Sequence, residues 1–483
     1  MNELSLQAML SPVVLSVAAL LLMMQIAFWR HATTSWIISC LAIGASILAI
    51  FPSVEVAPQQ VTPILISDNF SLFFSALILV ATLITALLAK DYLKNQSGEN
   101  EEFYLLVMLS ALGGLILVSA THLASFLLGL ELLGVALYAL IAYPERGRLP
   151  LEAAIKYLIL SGAASAILLF GFALLYAALG TLSFIDIGTQ LNQNLSTDKQ
   201  LLILIGSAMI IAGISFKLSL VPFHMWTPDV YQGAPAPVTG FLATVSKCAI
   251  FAALIRFFID AQLSQYPSLI LGLSVIAAAS MIIGNLLALK QDSLKRLLAY
   301  SSIAHIGYLL ITLIVFASTK DSKLMAEAAG FYLVAYVVTS LAAFSVLTIL
   351  FANSNEEGPD AIDGIRGLFW QQPLLALMLT VALLSLAGIP LTVGFIGKFY
   401  IFTVGINAQL WWLLGALVIG SGIGIYYYLR VVFAMTEQPS NGSQDNTSAI
   451  SGIAKIVVCL LIFMMFYLGV LPQPLMEHLG ALY

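Results

Sequence analysis

Seven ionisable side chains sit inside or beside long apolar runs: Glu131, Lys156, Lys217, His224, Lys247, His305 and Lys398. A charge in hydrocarbon costs several kcal/mol or more, so it persists only beside a partner, a water-filled cavity or a proton path. Groups that gain and lose protons, strung along an apolar chain, fit ion movement across a bilayer better than a soluble active site. Glu131 lies mid-run in LASFLLGLELLGVALY, and Lys217 is its expected partner. A carboxylate favours the charged form of a neighbouring amine, so the state of one controls the other. Lys247 and Lys398 have the same isolation. His224 and His305 lie deep in apolar sequence, and histidine titrates near neutral pH. For each histidine the competing role is a structural hydrogen bond to interrupted backbone. Lys156 is nearer the end of its run and can snorkel to the interface. Arg256 and Lys455 are expected to do the same, and His122 to shape a tight turn.

These residues are positioned by membrane-crossing helices. With 61% hydrophobic and 9% charged residues and a mean hydropathy of +1.01, the 483-residue chain lies far outside the soluble range. A crossing helix needs roughly 20 mostly apolar residues. That length predicts about fourteen spans, near 9–29, 35–52, 69–89, 103–120, 123–143, 153–179, 201–222, 236–259, 268–289, 297–317, 325–351, 373–403, 409–433 and 450–471. The longer connections, 53–68, 180–199, 352–372 and 436–449, are too short for an extramembrane domain. Residues 1–483 therefore read as one membrane domain. The N-terminus carries Glu3 and lacks the basic region of a cleavable signal, so the first span is expected to be retained.

Basic residues orient the bundle. Connections after odd-numbered spans hold Arg30, Lys90, Lys94, Arg146, Arg148, Lys290, Lys295, Arg296, Arg366 and Arg430, against Lys199, Lys320 and Lys323 after even-numbered ones. The positive-inside rule then predicts both termini outside the cytoplasm.

Two spans are interrupted. The seventh breaks after Lys217, where Pro222 and the Pro/Gly-rich run to Pro237 stop the helix. The twelfth breaks in SLAGIPLTVGFIGKFY, just before Lys398. Five spans separate the breaks, so a second copy would be upside down relative to the first. Inverted repeats with discontinuous helices mark secondary transporters. Residues 103–259 and 268–434 are predicted to be two such five-helix repeats. The fold class is thus all-α and polytopic.

Other chemistries are poorly served. The net charge of −5 is spread without a basic patch, which argues against nucleic acid. Cys40, Cys248 and Cys459 stand alone, with no spacing for a zinc site or an iron–sulfur cluster. Gly420, Gly422 and Gly424 lack a preceding strand, so close helix packing explains them better than dinucleotide binding. Tyr426, Tyr427 and Tyr428 read as packing or an interface anchor. No P-loop, nucleophile triad or redox motif is visible, and the chain itself is not expected to carry electrons.

The segments LVPFHMWTPDVYQGAPAPVTGFLATVSK, LKRLLAYSSIAHIGYLL, LAGIPLTVGFIGKFY and the run from Glu101 to Leu132 closely resemble the antiporter-like subunits of respiratory complex I. The similarity covers nearly the whole chain, with the first hundred residues and the last fifty weakest. The WTPDVYQGAPAPV stretch is specific to a wider group that includes multisubunit cation/proton antiporters and membrane hydrogenases. Two features bear on the branch within the family. The chain ends soon after its fourteenth span, without a long lateral helix, and position 398 is lysine rather than glutamate.

The resemblance implies a proton-translocating subunit in a bacterial inner membrane, beside other membrane subunits and neighbouring antiporter-like ones. NAD, FMN, iron–sulfur clusters and quinone would belong to partner subunits, with no cofactor in this chain. Glu131 and Lys217 match the family's pair on the fifth and seventh helices, Lys247 its central lysine and Lys398 its terminal one. Lys156 matches a lysine on the sixth helix, and His224 and His305 fall on the hydrated axis. A subunit of a sodium/proton antiporter, and a scaffold holding neighbours in register, are the alternatives.

Overall fold

A computed structural model describes residues 3–94, 98–143, 148–193, 195–319, 321–352, 360–438 and 450–482. Among them, 13 helices are long and apolar enough to cross a membrane, and two shorter apolar helices, Pro373–Ala387 and Val393–Asn407, occupy the stretch of the twelfth span. Helix is the form in which a segment satisfies its own backbone in lipid. The described strands form one two-stranded antiparallel hairpin, Gln59–Thr62 with Leu65–Ser67. Arg146, Lys320 and most of the 436–449 connection lie outside the described residues.

Burial ranks the helices. Every residue of the apolar stretch is buried in the eighth span, Ala236–Asp260, and the tenth, Leu294–Thr319, whereas only 28% is buried in the first, Leu10–Phe28. The innermost helices are therefore the ones that carry Lys247 and His305. Glycines let several helices approach closely, as membrane packing favours. A Cβ at Gly113 would fall 2.3 Å from the Leu133 nitrogen, locking the fourth span, Glu101–Val118, to the fifth, Leu123–Ile141.

Connections on one side are tied together. Ile66 N–H donates to the Ser119 carbonyl and Phe184 N–H to that of Thr121. The His122 imidazole accepts from Ala124 N–H at 3.1 Å, capping the fifth span. Its expected structural role at the turn is the one observed.

Both expected interruptions are present. The seventh span, Thr197–Lys217, ends at Lys217, and the chain resumes in the short helix Trp226–Gly233 before Ala236 starts the eighth. The Trp226 indole N–H donates to the Phe216 carbonyl at 3.0 Å, satisfying one helix-end acceptor. The twelfth span stops at Ala387 and restarts at Val393. Each break holds a non-glycine residue in the left-handed region, Ser219 at φ 66° and Leu391 at φ 74°, a conformation that typically costs about 1–3 kcal/mol and clusters at functional sites.

One expectation fails. Arg256 does not snorkel: its side chain is 5% exposed and grips the Asp68 carboxylate through both terminal nitrogens at 2.7 and 2.8 Å. It lies near the end of the eighth span, but the connection before the third folds over it and supplies a carboxylate, so the charge is paired inside protein rather than solvated. Asp68 itself is opposed by burial, yet the charge and hydrogen bonds of Arg256, with those of Ser71, outweigh it and hold the carboxyl below its ordinary value of 3.8.

Candidate proton-transfer site

Lys217 is the last residue of its helix, and its side chain is 2% exposed. Its Nζ donates to Ser161 Oγ at 2.7 Å and stands 3.7 Å from Glu131 Oε1. Ser165 Oγ donates to the same Glu131 oxygen at 2.5 Å, and Tyr138 OH donates to Ser161 Oγ at 2.7 Å. Ser161 and Ser165 are four residues apart on the sixth span and so share a face. Glu131 and Lys217 thus meet as expected, through a hydroxyl pair that the charged residues alone did not announce. Glu131 is 34% exposed, at the rim of the bundle rather than sealed inside it.

Lys247 follows a five-residue π-helical turn, Leu242–Ser246, inside the eighth span. Such turns interrupt the regular helix and are frequent at functional sites. The lysine is 1% exposed. Its Nζ donates to Ser302 Oγ, which shares a 2.5 Å hydrogen bond with Tyr336 OH. Among the described residues no carboxylate lies within salt-bridge distance of Lys247 or Lys398. Hydroxyls and backbone carbonyls receive their N–H groups instead.

His305 stands in the same network. Its Nδ1 is 2.8 Å from Tyr332 OH, and its ring centre is 5.7 Å from that of Tyr336. Lys247 reaches Tyr336 through Ser302, and Tyr336 meets the histidine by ring contact, with no hydrogen bond between them among the described residues. On the far side, the edge of Tyr308 packs on His305 at 5.6 Å, and Lys398 Nζ lies 5.3 Å from the Tyr308 ring centre.

Lys398 is held by the break beside it. Its Nζ donates to the carbonyls of Leu386 and Ala387 at 2.8 and 2.9 Å, the last two residues of the first half-helix. A cation at a helix C-terminus satisfies orphan carbonyls and opposes the negative end of the dipole. Gly388, at φ 86°, leaves room for the lysine stem, since a Cβ there would lie 2.9 Å from Lys398 Cδ.

Two of the seven residues fall elsewhere. Lys156 makes ion pairs with Glu152 at 2.7 Å and Asp229 at 2.8 Å, and Arg296 joins Asp229 from the tenth span at 2.7 Å. This is a half-exposed charge cluster bridging the sixth and tenth spans. His224 is buried in the first break; the Pro222 backbone lies against its ring, no other partner reaches either ring nitrogen among the described residues, and Tyr300 is edge-on at 6.5 Å. Among the described residues no direct hydrogen bond joins Lys217 to Lys247.

Sequence reasoning missed the hydroxyls: Tyr138, Ser161, Ser165, Ser302, Tyr332 and Tyr336. Serine and tyrosine are common in apolar helices, and only their meeting with a buried cation separates these from the rest. The tyrosine run divides in the same way. Tyr426 is 67% exposed, as an interface anchor would be, but Tyr427 and Tyr428 are buried among polar partners.

Residues 120–424 match the NADH:quinone oxidoreductase/Mrp antiporter, TM family. The chain is 48% identical to NADH-quinone oxidoreductase subunit N of Ectopseudomonas mendocina (strain ymp), covering 98% of this chain and 96% of that one. A chain of respiratory complex I from Thermus thermophilus is 33% identical, with a TM-score of 0.82 over 98% of this chain and all of that one. A chain of the Mrp complex from Dietzia sp. DQ12-45-1b is 19% identical, with a TM-score of 0.85 over 99% and 97% of the two chains. That last likeness bears on the fold alone. With its buried lysines, broken helices and near-complete alignment, the chain belongs to the NADH:quinone oxidoreductase/Mrp antiporter family of transmembrane subunits, on the NADH-quinone oxidoreductase subunit N branch.

Proposed function

We propose that this chain moves protons across the membrane as a subunit of NADH:quinone oxidoreductase, driven by electron transfer from NADH to quinone in partner subunits. The near full-length 48% identity to a subunit N carries this reading over that of a sodium/proton antiporter subunit. NAD, FMN, iron–sulfur clusters and quinone belong to those partners in this reading. The membrane is the bacterial inner membrane, with both termini outside the cytoplasm. Residues 103–259 and 268–434 act as two inverted repeats. The left-handed residue in each break and the glycine-locked first helix pair of each half, Gly113 against Leu133 and Gly284 against Ala304, support that pairing.

The relay runs through Glu131–Lys217, Lys247, His305 and Lys398. Redox chemistry elsewhere changes the strength of the Glu131–Lys217 pair. Weakening it releases a proton from Lys217 towards Lys247, across a gap that water must bridge, and hydroxyls of Ser302, Tyr336 and Tyr332 carry it past His305. The interrupted helices supply free carbonyls where intact ones would seal the path. His224 lines the first break beside this route, and Lys156 steadies its rim through Asp229. Gentle extraction of the tagged chain tests the assignment. Co-purifying NADH:quinone reductase activity supports it. A stable complex without that activity, but with sodium/proton exchange, overturns it in favour of the antiporter.

A further inference from the structure

The thirteenth span, Trp411–Thr436, contributes none of the buried cations, yet it sends two buried tyrosines into the polar interior. Tyr428 OH hydrogen-bonds Ser301 Oγ and lies 3.4 Å from His305 Nε2. Tyr427 OH donates to Asn285 Oδ1 at 2.9 Å, and Asn285 Nδ2 donates to Tyr308 OH at 2.9 Å. The helix comes this close because it turns glycines to the cluster. A Cβ at Gly420 would sit 2.9 Å from both Asn285 Nδ2 and Tyr308 OH. Packing alone needs the tyrosine rings but not hydroxyls aimed at polar groups of other helices.

An imidazole passes a proton by binding it on one nitrogen and releasing it from the other, so it needs a hydroxyl or water on both sides. Tyr332 serves Nδ1. Among the described residues the hydroxyl in reach of Nε2 is that of Tyr428, and the Leu386 backbone also lies against the ring. We propose that Tyr428 is a proton-relay residue, coupled through Ser301, and that it opens His305 to a second arm on the thirteenth span. In one passage the Tyr428 hydroxyl proton moves to Nε2 while the Ser301 hydroxyl proton moves to the Tyr428 oxygen. Ser301 regains its proton from a hydrated proton, and Nδ1–H passes to Tyr332 as the Tyr332 hydroxyl releases its own proton to water. Each hydroxyl ends with one proton, and one proton has crossed the ring. Tyr427 and Asn285 do not conduct; they fix the helix so that Tyr428 meets His305.

This inference rests on the proton-transfer reading above, and the test separates the two. Purified intact complex carrying Tyr428→Phe, which keeps the ring, is reconstituted in vesicles, and protons moved per NADH oxidised are measured across a pH series. The expected result is at least a fivefold loss of pumping with a changed pH profile, and unchanged NADH oxidation by a water-soluble electron acceptor. Tyr427→Phe, which loosens the anchor but leaves both relay hydroxyls in place, should retain a larger share of pumping than Tyr428→Phe, with the wild-type pH profile. Should the Tyr428 variant fail to assemble, Ser301→Ala against Ser301→Thr decides, since only the threonine keeps the hydroxyl. Wild-type pumping by Tyr428→Phe or by Ser301→Ala overturns the relay role. A His305→Gln control then shows which idea fell: loss of pumping there spares the main path, and normal pumping removes His305 from it as well.

Discussion

Replacing Glu131 with Gln removes one charge from the Glu131–Lys217 pair while keeping the size of the side chain and an oxygen for Ser165. The separation is 3.7 Å, and opposite charges about 4 Å apart are worth roughly 4 kcal/mol at an effective dielectric of about 20. Glu131 is 34% exposed, so solvent or a neighbouring subunit screens part of this, and about 2 kcal/mol is a fair working value. At 1.36 kcal/mol per tenfold, that shifts the balance between paired and released states by about thirty-fold. The cycle requires the pair to alternate between these states, so a chain fixed in one of them should pump poorly. Inside-out membrane vesicles energised with NADH, with a pH-sensitive dye reporting acidification, measure this directly. Glu131→Gln should cut the initial acidification rate per NADH oxidised by about tenfold or more, and Glu131→Asp should retain a larger share. Wild-type acidification by the Gln variant would show that the charge of Glu131 has no part in the path, and the reasoning from the pair would fail with it.

Two further perturbations probe the scaffold. Gly394→Ala puts a Cβ 1.9 Å from the Ser385 carbonyl oxygen, forcing apart the two half-helices that hold Lys398, and at least a tenfold loss of pumping is expected in any complex that assembles. Normal pumping would mean that Lys398 does not depend on that junction. Asp68→Asn removes the carboxylate charge that Arg256 grips with both terminal nitrogens, a loss of about 3 kcal/mol, at the low end because Asp260 also lies close enough to feel the Arg256 charge. Thermal unfolding of the purified complex should show it as a lower midpoint at neutral pH. The folded value of Asp68 is the depressed one, so its stabilisation is complete above about pH 4 and is lost as the pH falls through that folded value. Wild type and variant should converge only in that acid range, and equal midpoints at pH 7 would contradict the pairing.

What the sequence made legible is what lipid penalises. Lysines at 217, 247 and 398 and the two broken spans stood out because hydrocarbon tolerates neither charge nor open backbone without cause, and the structure buries all three lysines and breaks both helices where expected. Arg256 misled because distance from a helix end says nothing about a loop folding over that end. The hydroxyl links were illegible for a different reason. Ser302 and Tyr336 are 34 residues apart in sequence and Ser301 and Tyr428 are 127 apart, so only the packing of different spans makes them neighbours. The π turn before Lys247 was equally hidden, since Leu242–Ser246 contains no glycine or proline to mark it. Sequence located the charges; only the packing of the spans shows which hydroxyls stand beside them.

Lys247 is the point where the account is most exposed, because it is central, has no carboxylate partner among the described residues, and hydrogen-bonds Ser302 with the Tyr231 ring beside it. Reconstituted complex carrying Lys247→Met, a replacement of similar length that cannot carry a proton, gives the decisive ratio of protons translocated to NADH oxidised. The account expects that ratio to fall well below wild type in an assembled complex that still oxidises NADH. An unchanged ratio would mean that protons cross without Lys247, and the buried lysine series would not be their path.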